Sequence, residues 1–251
     1  MTIFNDLLEK VVEGMHRPIP EMELRRIEKK AEALKGADYS GWFDIRSAVA
    51  ALRGNYIECD QCFENALRHS DEKSGTVMRY LILCGGLGRN ERLKEQFERF
   101  APLLRNDPTA IRHVASLLVG AGYVASSKQF SGELLRLKDE ERDSDICSLS
   151  VDIVDDSTDG NGNGIKEDAV AQVVSFVHGF LRARGGFPNS ITSSIVQYED
   201  GNAGLHYRFQ VETNSEGAAD LEWAMFEALA EKEFEAEVSG ALSFSVVAGG
   251  P

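Results

Sequence analysis

The sequence predicts a two-domain chain of class α plus α/β, with an all-α helix-turn-helix repeat followed by a β-α-β-β-α-β sandwich. Apolar residues recur every three or four positions as far as Lys138, which is typical of amphipathic helices. Beyond Asp145 the apolar residues alternate with polar ones, which is typical of half-buried strands. The net charge also changes between these parts, so we expect domains at residues 1–140 and 145–251.

Charge is distributed unevenly along the chain. Over 251 residues, 27 Lys and Arg oppose 41 Asp and Glu, which gives a net charge of −14. Residues 1–140 hold 21 of each sign, whereas residues 141–251 hold 6 basic and 20 acidic residues, so the second part alone carries 6 − 20 = −14. An acidic surface repels phosphate and anionic lipid, so we expect neither nucleic acid nor membrane as a partner.

The sequence also lacks the usual signals of export. No apolar run reaches the roughly 20 residues of a membrane span. The N-terminus carries acidic residues where a signal peptide carries basic ones. Four cysteines in a chain of this length do not indicate a disulfide framework, so we expect a cytoplasmic protein.

The first half reads as a series of amphipathic helices. One apolar face runs from Ile3 to Met15, and a second helix follows Pro20 and carries Met22 to Leu34. Three glycines then recur at intervals of 34 residues, each between two helical patterns where a tight turn is needed: Gly54, Gly88 and Gly122. Asn55 and Asn90 are the expected N-caps of the helices that follow the first two glycines.

This 34-residue unit resembles the tetratricopeptide repeat (TPR) family, and the resemblance covers roughly residues 40–137. The first repeat matches at Gly54, Tyr56, Cys59, Phe63, Ala66 and Leu67. The second keeps Gly88, Leu93, Phe97 and Ala101, and the third keeps Gly122, Leu134 and Leu135. Trp42 stands one place early and Pro108 three places late, so an unrelated helical bundle is the alternative.

The resemblance implies a concave groove lined by the first helix of each pair. Carried over residue by residue, the groove positions are Asp44, Ala48, Met78, Ile82, Arg112 and Ser116. An apolar centre at Met78 and Ile82 suits another protein's helix or an extended peptide, with Arg112 as a single anchor. The alternative is that the chain's own N-terminal helix fills this groove.

The second half alternates strands with helices. The predicted elements, in order, are strand Cys147–Ile153, a helix from Ala169 to Leu181, strands Ile191–Tyr198 and Leu205–Glu212 joined as a hairpin, a helix Ala218–Phe234 and strand Ala241–Ala248. This order resembles the ferredoxin-like fold at the level of the fold alone, which implies no function.

One face of the predicted sheet is polar. It would present Asp152, His206, Arg208 and Gln210 together with small serines, and Asp152 would pair with Arg208 if their strands were neighbours. The face is either simply solvated or a surface for a partner or for a second copy in a homo-oligomer.

A metal site has one candidate. Asp159, Asn161, Asn163 and Gly164 follow the spacing of a calcium loop, in which short oxygen ligands alternate before a sharp turn. Val170 stands where the closing carboxylate is required, so an acidic strand-to-helix connection without calcium is the stronger interpretation.

Other motifs point away from catalysis. Cys59 and Cys62 form a C-x-x-C pair, but both lie in a predicted helix and are expected to pack in its core. The histidines show no metal-ligand spacing, and we find no nucleophile elbow, P-loop or zinc-protease motif. We therefore expect no enzyme and no cofactor.

These observations favour a non-enzymatic adaptor or scaffold that joins a TPR-like groove to an acidic α/β module. Two alternatives remain at this point. One is an inhibitor, immunity protein or chaperone whose acidic domain covers a basic protein. The other is a calcium-responsive regulator that acts through the loop at residues 159–168.

Overall fold

A computed structural model describes residues 2–137, 166–197, 203–234, 238 and 241–249 of the chain. They belong to two compact units, of which the first ends at Leu87 and the second begins at Gly88. The predicted boundary near residues 140–145, the predicted strand Cys147–Ile153 and the candidate calcium ligands lie outside the described residues.

The first unit is helical. Its elements are α1 (Ile3–His16), α2 (Glu21–Ala31), a 3₁₀ turn (Glu32–Leu34), α3 (Tyr39–Leu52), α4 (Tyr56–His69) and α5 (Lys73–Gly86). The side chains of Thr2, Asp38 and Asn55 cap α1, α3 and α4 by accepting backbone N–H groups of the first turn. The predicted N-cap role of Asn55 is thereby confirmed.

The second unit combines helices with a small sheet. Its elements are α6 (Asn90–Leu104), α7 (Pro108–Gly120), α8 (Val124–Ser131), α9 (Glu133–Arg136), α10 (Glu167–Ala183), β1 (Pro188–Gln197), β2 (Ala203–Val211), α11 (Ser215–Glu231) and β3 (Leu242–Ala248). Each of the last five lies where the sequence predicts a helix or strand of the same type.

The N-terminal helices form a repeat-like arrangement in which neighbouring helices pack together, as in the pairs α3–α4 and α7–α8. All three predicted turn glycines have left-handed backbone angles, with φ of +76° at Gly54, +69° at Gly88 and +95° at Gly122. A residue with a Cβ is strained in this region, which is the physical reason for glycine at the 34-residue interval.

The predicted N-cap role of Asn90 is wrong. Arg89 is the N-cap, and Asn90 is the first residue of α6 and is buried. Its Nδ2 donates to the carbonyl of Ala121 at 3.1 Å. Since Ala121 is the C-cap of α7, the amide supplies a donor at a helix end, where carbonyls lack partners within the helix.

The sheet has the order β1-β2-β3. β1 and β2 are antiparallel, with Ile191 opposite Phe209, so the predicted hairpin is confirmed. β2 and β3 are parallel, with Tyr207 opposite Phe244, so β1 and β3 occupy both edges of β2. The described residues therefore form a small mixed sheet, and they do not confirm a ferredoxin-like arrangement.

One face of this sheet packs against helices. Val174 and Val177 of α10 and Met225 of α11 are fully buried against it. The sheet contributes alternate residues of its strands, which are Leu205, Tyr207, Phe209, Val211, Leu242, Phe244 and Val246. In β2 and β3, the apolar residues that alternate with polar ones in the sequence are therefore the buried ones. Among the described helices, none is long and apolar enough to cross a membrane.

Candidate functional site

The strongest candidate site in the first unit is an apolar pocket between α1, α3 and α5. Leu7, Val11 and Met15 of α1 are buried, and α1 packs against both other helices. The pocket is small, with a volume of about 90 Å³, and it is partly open to solvent. Ala48 of α3 and Ile82 of α5 line it opposite α1. The N-terminal helix therefore occupies part of the groove between these helices and leaves a smaller apolar opening.

Glycines allow α1 to approach its neighbours. A Cβ at Gly41 of α3 would lie 2.9 Å from the ring of Phe4, and one at Gly86 of α5 would lie 2.8 Å from the Sδ atom of Met15. At Gly41 an added Cβ would first overlap the carboxylate of Asp38, which caps α3, and at both sites the α1 atoms belong to side chains, so larger residues would require local side-chain shifts. The close packing of α1 thus involves two glycines that the repeat spacing does not mark.

An ion pair closes one side of the pocket. Asp44 Oδ2 accepts from Arg79 Nε at 2.8 Å and from Arg79 Nη2 at 2.6 Å, and the Asp44 side chain is only 8% exposed. Burial raises the pKa of the Asp44 carboxyl to about 6, although the Arg79 guanidinium acts to lower it. The guanidinium also lies 5.3 Å from the centre of the Phe4 ring, over its face, so the same residue helps to hold α1.

The groove residues predicted from the sequence are distributed over both units. Asp44, Ala48 and Ile82 come together in the pocket, and Met78 is half-buried on α5 outside its lining. Arg112 and Ser116 lie on α7, which belongs to the second unit. Sequence reasoning missed Arg79, whose only signal was its position one residue after the predicted groove position 78.

The polar sheet face also has an ordered arrangement. His206 of β2 lies between two serines of β3, with Nδ1 2.9 Å from Ser243 Oγ and Nε2 2.9 Å from Ser245 Oγ. Each ring nitrogen thus binds one serine hydroxyl, and the side chain links the two strands. Arg208 is exposed and Gln210 half-buried on the same strand, whereas Asp152 lies outside the described residues.

The carboxylate of Glu167 accepts hydrogen bonds from a neighbouring helix of the second unit. It accepts from the backbone N–H of Ser126 at 2.8 Å and from the Ser126 hydroxyl at 2.8 Å, and it lies 3.4 Å from Lys94 Nζ. Because Ser126 lies in the first turn of α8, Glu167 caps that helix from the start of α10. The candidate calcium ligands Asp159, Asn161 and Asn163 lie outside the described residues.

The cysteines of the first unit are packing residues. Cys59, Cys62 and Cys84 are free and buried, and the Ser47 hydroxyl donates to the backbone carbonyl of Cys59 at 2.9 Å. Burial raises the pKa of the Cys62 thiol to about 11, which keeps it protonated at neutral pH. Within the part of the chain that the structure describes, no group of three or more His, Cys, Asp or Glu side chains is placed to hold a metal ion.

No protein family, curated protein sequence or solved structure matches this chain.

Proposed function

We propose that this chain is a non-enzymatic protein-interaction adaptor whose helical part, residues 1–140, is a TPR-like repeat joined to an acidic α/β module. The observation that carries the proposal is the apolar pocket between α1, α3 and α5, with the Asp44–Arg79 ion pair at its side. Val12 of α1 is 37% exposed at this pocket, and Leu8 and Ile82 beside it are half-exposed. A partner would therefore insert an apolar side chain beside α1 rather than replace the helix.

The pocket suits recognition of a protein better than catalysis. Its walls are apolar, and its charged pair is internally neutralised by two hydrogen bonds. The carboxylate and the guanidinium thus satisfy each other and remain as a polar edge that orients a bound side chain. An anchor residue that fills such a pocket supplies most of the binding energy in many small interfaces.

The test is comparative capture of proteins from native cells with the full-length chain as bait. We expect Ile82→Asp to lose partners that the unmodified chain captures, because a carboxylate would have to be buried beside apolar groups. Ile57→Asp is the matched control, since Ile57 is 76% exposed on α4 and does not line the pocket. If both variants retain the same partners while their circular dichroism is unchanged, the pocket is not the binding site.

The charge of the second unit favours a second candidate function, the binding of a basic protein. Helix α11 contributes Glu216, Asp220, Glu222, Glu227 and Glu231 and contains no Lys or Arg. A surface of one sign accelerates encounter with a partner of opposite charge and makes binding sensitive to salt. Binding of a basic partner that stays constant between low and high salt would contradict this candidate.

A further inference from the structure

The outer edge of β3 bears no strand among the residues that the structure describes. On its inner side, β3 binds β2, and Gly249 N–H extends this pairing by donating to the carbonyl of Val211 at 2.7 Å. Val246 N–H points the other way and donates to a carboxylate oxygen of Glu222 at 2.7 Å. Since successive backbone groups of a strand face opposite sides, Phe244 and Ala248 share the outward direction of Val246.

Helix α11 forms the other wall of a groove along this edge. Ala219, Glu222, Trp223 and Phe226 of α11 face the end of β3 from Val246 to Ala248. Trp223 is 70% exposed and Phe226 is 44% exposed, although large aromatic rings usually lie inside a fold. An edge strand beside an apolar helix face is the arrangement by which several domains bind extended peptides.

Glu222 indicates what the groove binds. Its carboxylate oxygen occupies the place that the carbonyl of an added strand would take on Val246 N–H. When a strand supplies that carbonyl, the displaced carboxylate becomes available to pair with a cation, and α11 itself contains no Lys or Arg. Within the described parts of the chain, none of the carboxylates of α11 forms an ion pair, so Glu222 favours a partner that brings a Lys or Arg to it.

We propose that the α11–β3 groove binds an extended segment of a basic partner protein, which adds as a strand to the outer edge of β3. On the side that faces α11, a Lys or Arg of the segment pairs with Glu222, and an apolar side chain packs on Trp223 and Phe226. This inference rests on the second candidate function, the binding of a basic protein, and specifies its site and its mode.

A labelled synthetic peptide tests the proposal on the full-length chain by fluorescence anisotropy. The probe is an eight-residue peptide in which Thr alternates with Lys and Leu, so that one side carries the cation and the apolar group. We expect Glu222→Lys to weaken its binding roughly tenfold or more, because an ion pair is replaced by repulsion. Trp223→Ala removes apolar contact and should weaken binding about threefold to tenfold.

Two controls separate strand addition from simple attraction between charges. Asp220→Asn removes a negative charge from the same helix outside the groove lining and should leave the affinity within about twofold. A peptide with the same side chains but N-methylated at alternate amides cannot pair with β3 and should lose binding. Amide exchange read by NMR should slow at Phe244 and Ala248, and Ser245 and Val247, which face β2, are the internal reference.

The outcomes distinguish the two levels of the proposal. If the N-methylated peptide binds as tightly as the parent and only salt weakens both, the second unit binds basic partners but not by strand addition. If neither peptide binds at about 1 mM, this edge is not a binding site, and salt-sensitive capture of a basic protein would then have to be sought elsewhere on the second unit.

Discussion

Replacing Gly122 by alanine is the sharpest test of the link between the repeat spacing and the fold. Gly122 has a φ of +95°, and a Cβ there would lie 2.7 Å from Ala171 Cα and 2.8 Å from Ala171 N. These are backbone atoms of α10, which cannot rotate away as a side chain would. Gly54 is the matched comparison, because its φ is +76° but nothing lies within 4 Å of the added Cβ.

The expected effects follow from three contributions. An alanine in the left-handed region is destabilised by about 1–2 kcal/mol, and the loss of glycine's freedom in the unfolded chain offsets about 0.4–1 kcal/mol of this. Gly54→Ala should therefore lower the free energy of unfolding of its unit by about 1 kcal/mol. At Gly122 the overlap with a neighbouring backbone adds about 1–3 kcal/mol to this destabilisation. Gly122→Ala should therefore lower the free energy of unfolding of the second unit by about 2–4 kcal/mol.

Urea unfolding followed by tryptophan fluorescence reports on each unit through its own tryptophan. Trp42 lies in the first unit and Trp223 in the second, so Trp223→Phe and Trp42→Phe backgrounds report one unit each. Asparagine tolerates left-handed angles, so Gly54→Asn should destabilise less than Gly54→Ala. If Gly122→Ala destabilises its unit no more than Gly54→Ala does, the α10 backbone does not lie as close to this turn as described.

Three further predictions concern charged groups. The pKa of Asp44 is raised to about 6 from 3.8, so the folded state binds its proton more tightly than the unfolded state does. The free energy of unfolding should therefore fall by at most about 3 kcal/mol as pH rises from about 4 to 6. Asp44→Asn should remove this dependence in urea titrations at a series of pH values. Burial lowers the pKa of His178 to about 3 from 6.5, so the second unit should lose stability as pH falls from about 6.5 towards 3. If thermal melts of His178→Leu show the same dependence of stability on pH as the unmodified chain, this prediction is contradicted. Glu167→Ala removes the acceptor that caps the Ser126 N–H and should reduce the free energy of unfolding of the second unit by about 1–2 kcal/mol in the same urea assay. Glu167→Gln keeps an acceptor oxygen and should have a smaller effect.

Local chemistry allowed much of the secondary structure to be predicted. The glycines at 34-residue intervals lie at helix-to-helix turns because left-handed angles exclude most residues with a Cβ. Asn55 caps its helix as expected, since an N-cap needs only a short side chain and the next turn. The alternation in β2 and β3 matched their burial because one face of the sheet packs on helices.

The candidate sites were predicted less completely, because they depend on contacts between distant residues. Asp44 and Ile82 were expected in a groove from the repeat resemblance, and they do line one pocket. The partner of Asp44 is Arg79, 35 positions away, which no local pattern identified. Asn90 was likewise mispredicted, because its side chain donates to the carbonyl of Ala121 at the end of α7 instead of capping its own helix.

The sequence by itself determined where helices and strands form, because periodicity, caps and glycine turns act within a few residues. Only the tertiary structure decided that α1 lies against α3 and α5, since two glycines permit the approach and Arg79 joins Asp44 to Phe4. It also decided that β3 pairs in parallel with β2 and presents its outer edge to α11. Such pairings depend on which surfaces bury the most apolar area together, and that is a property of the whole fold.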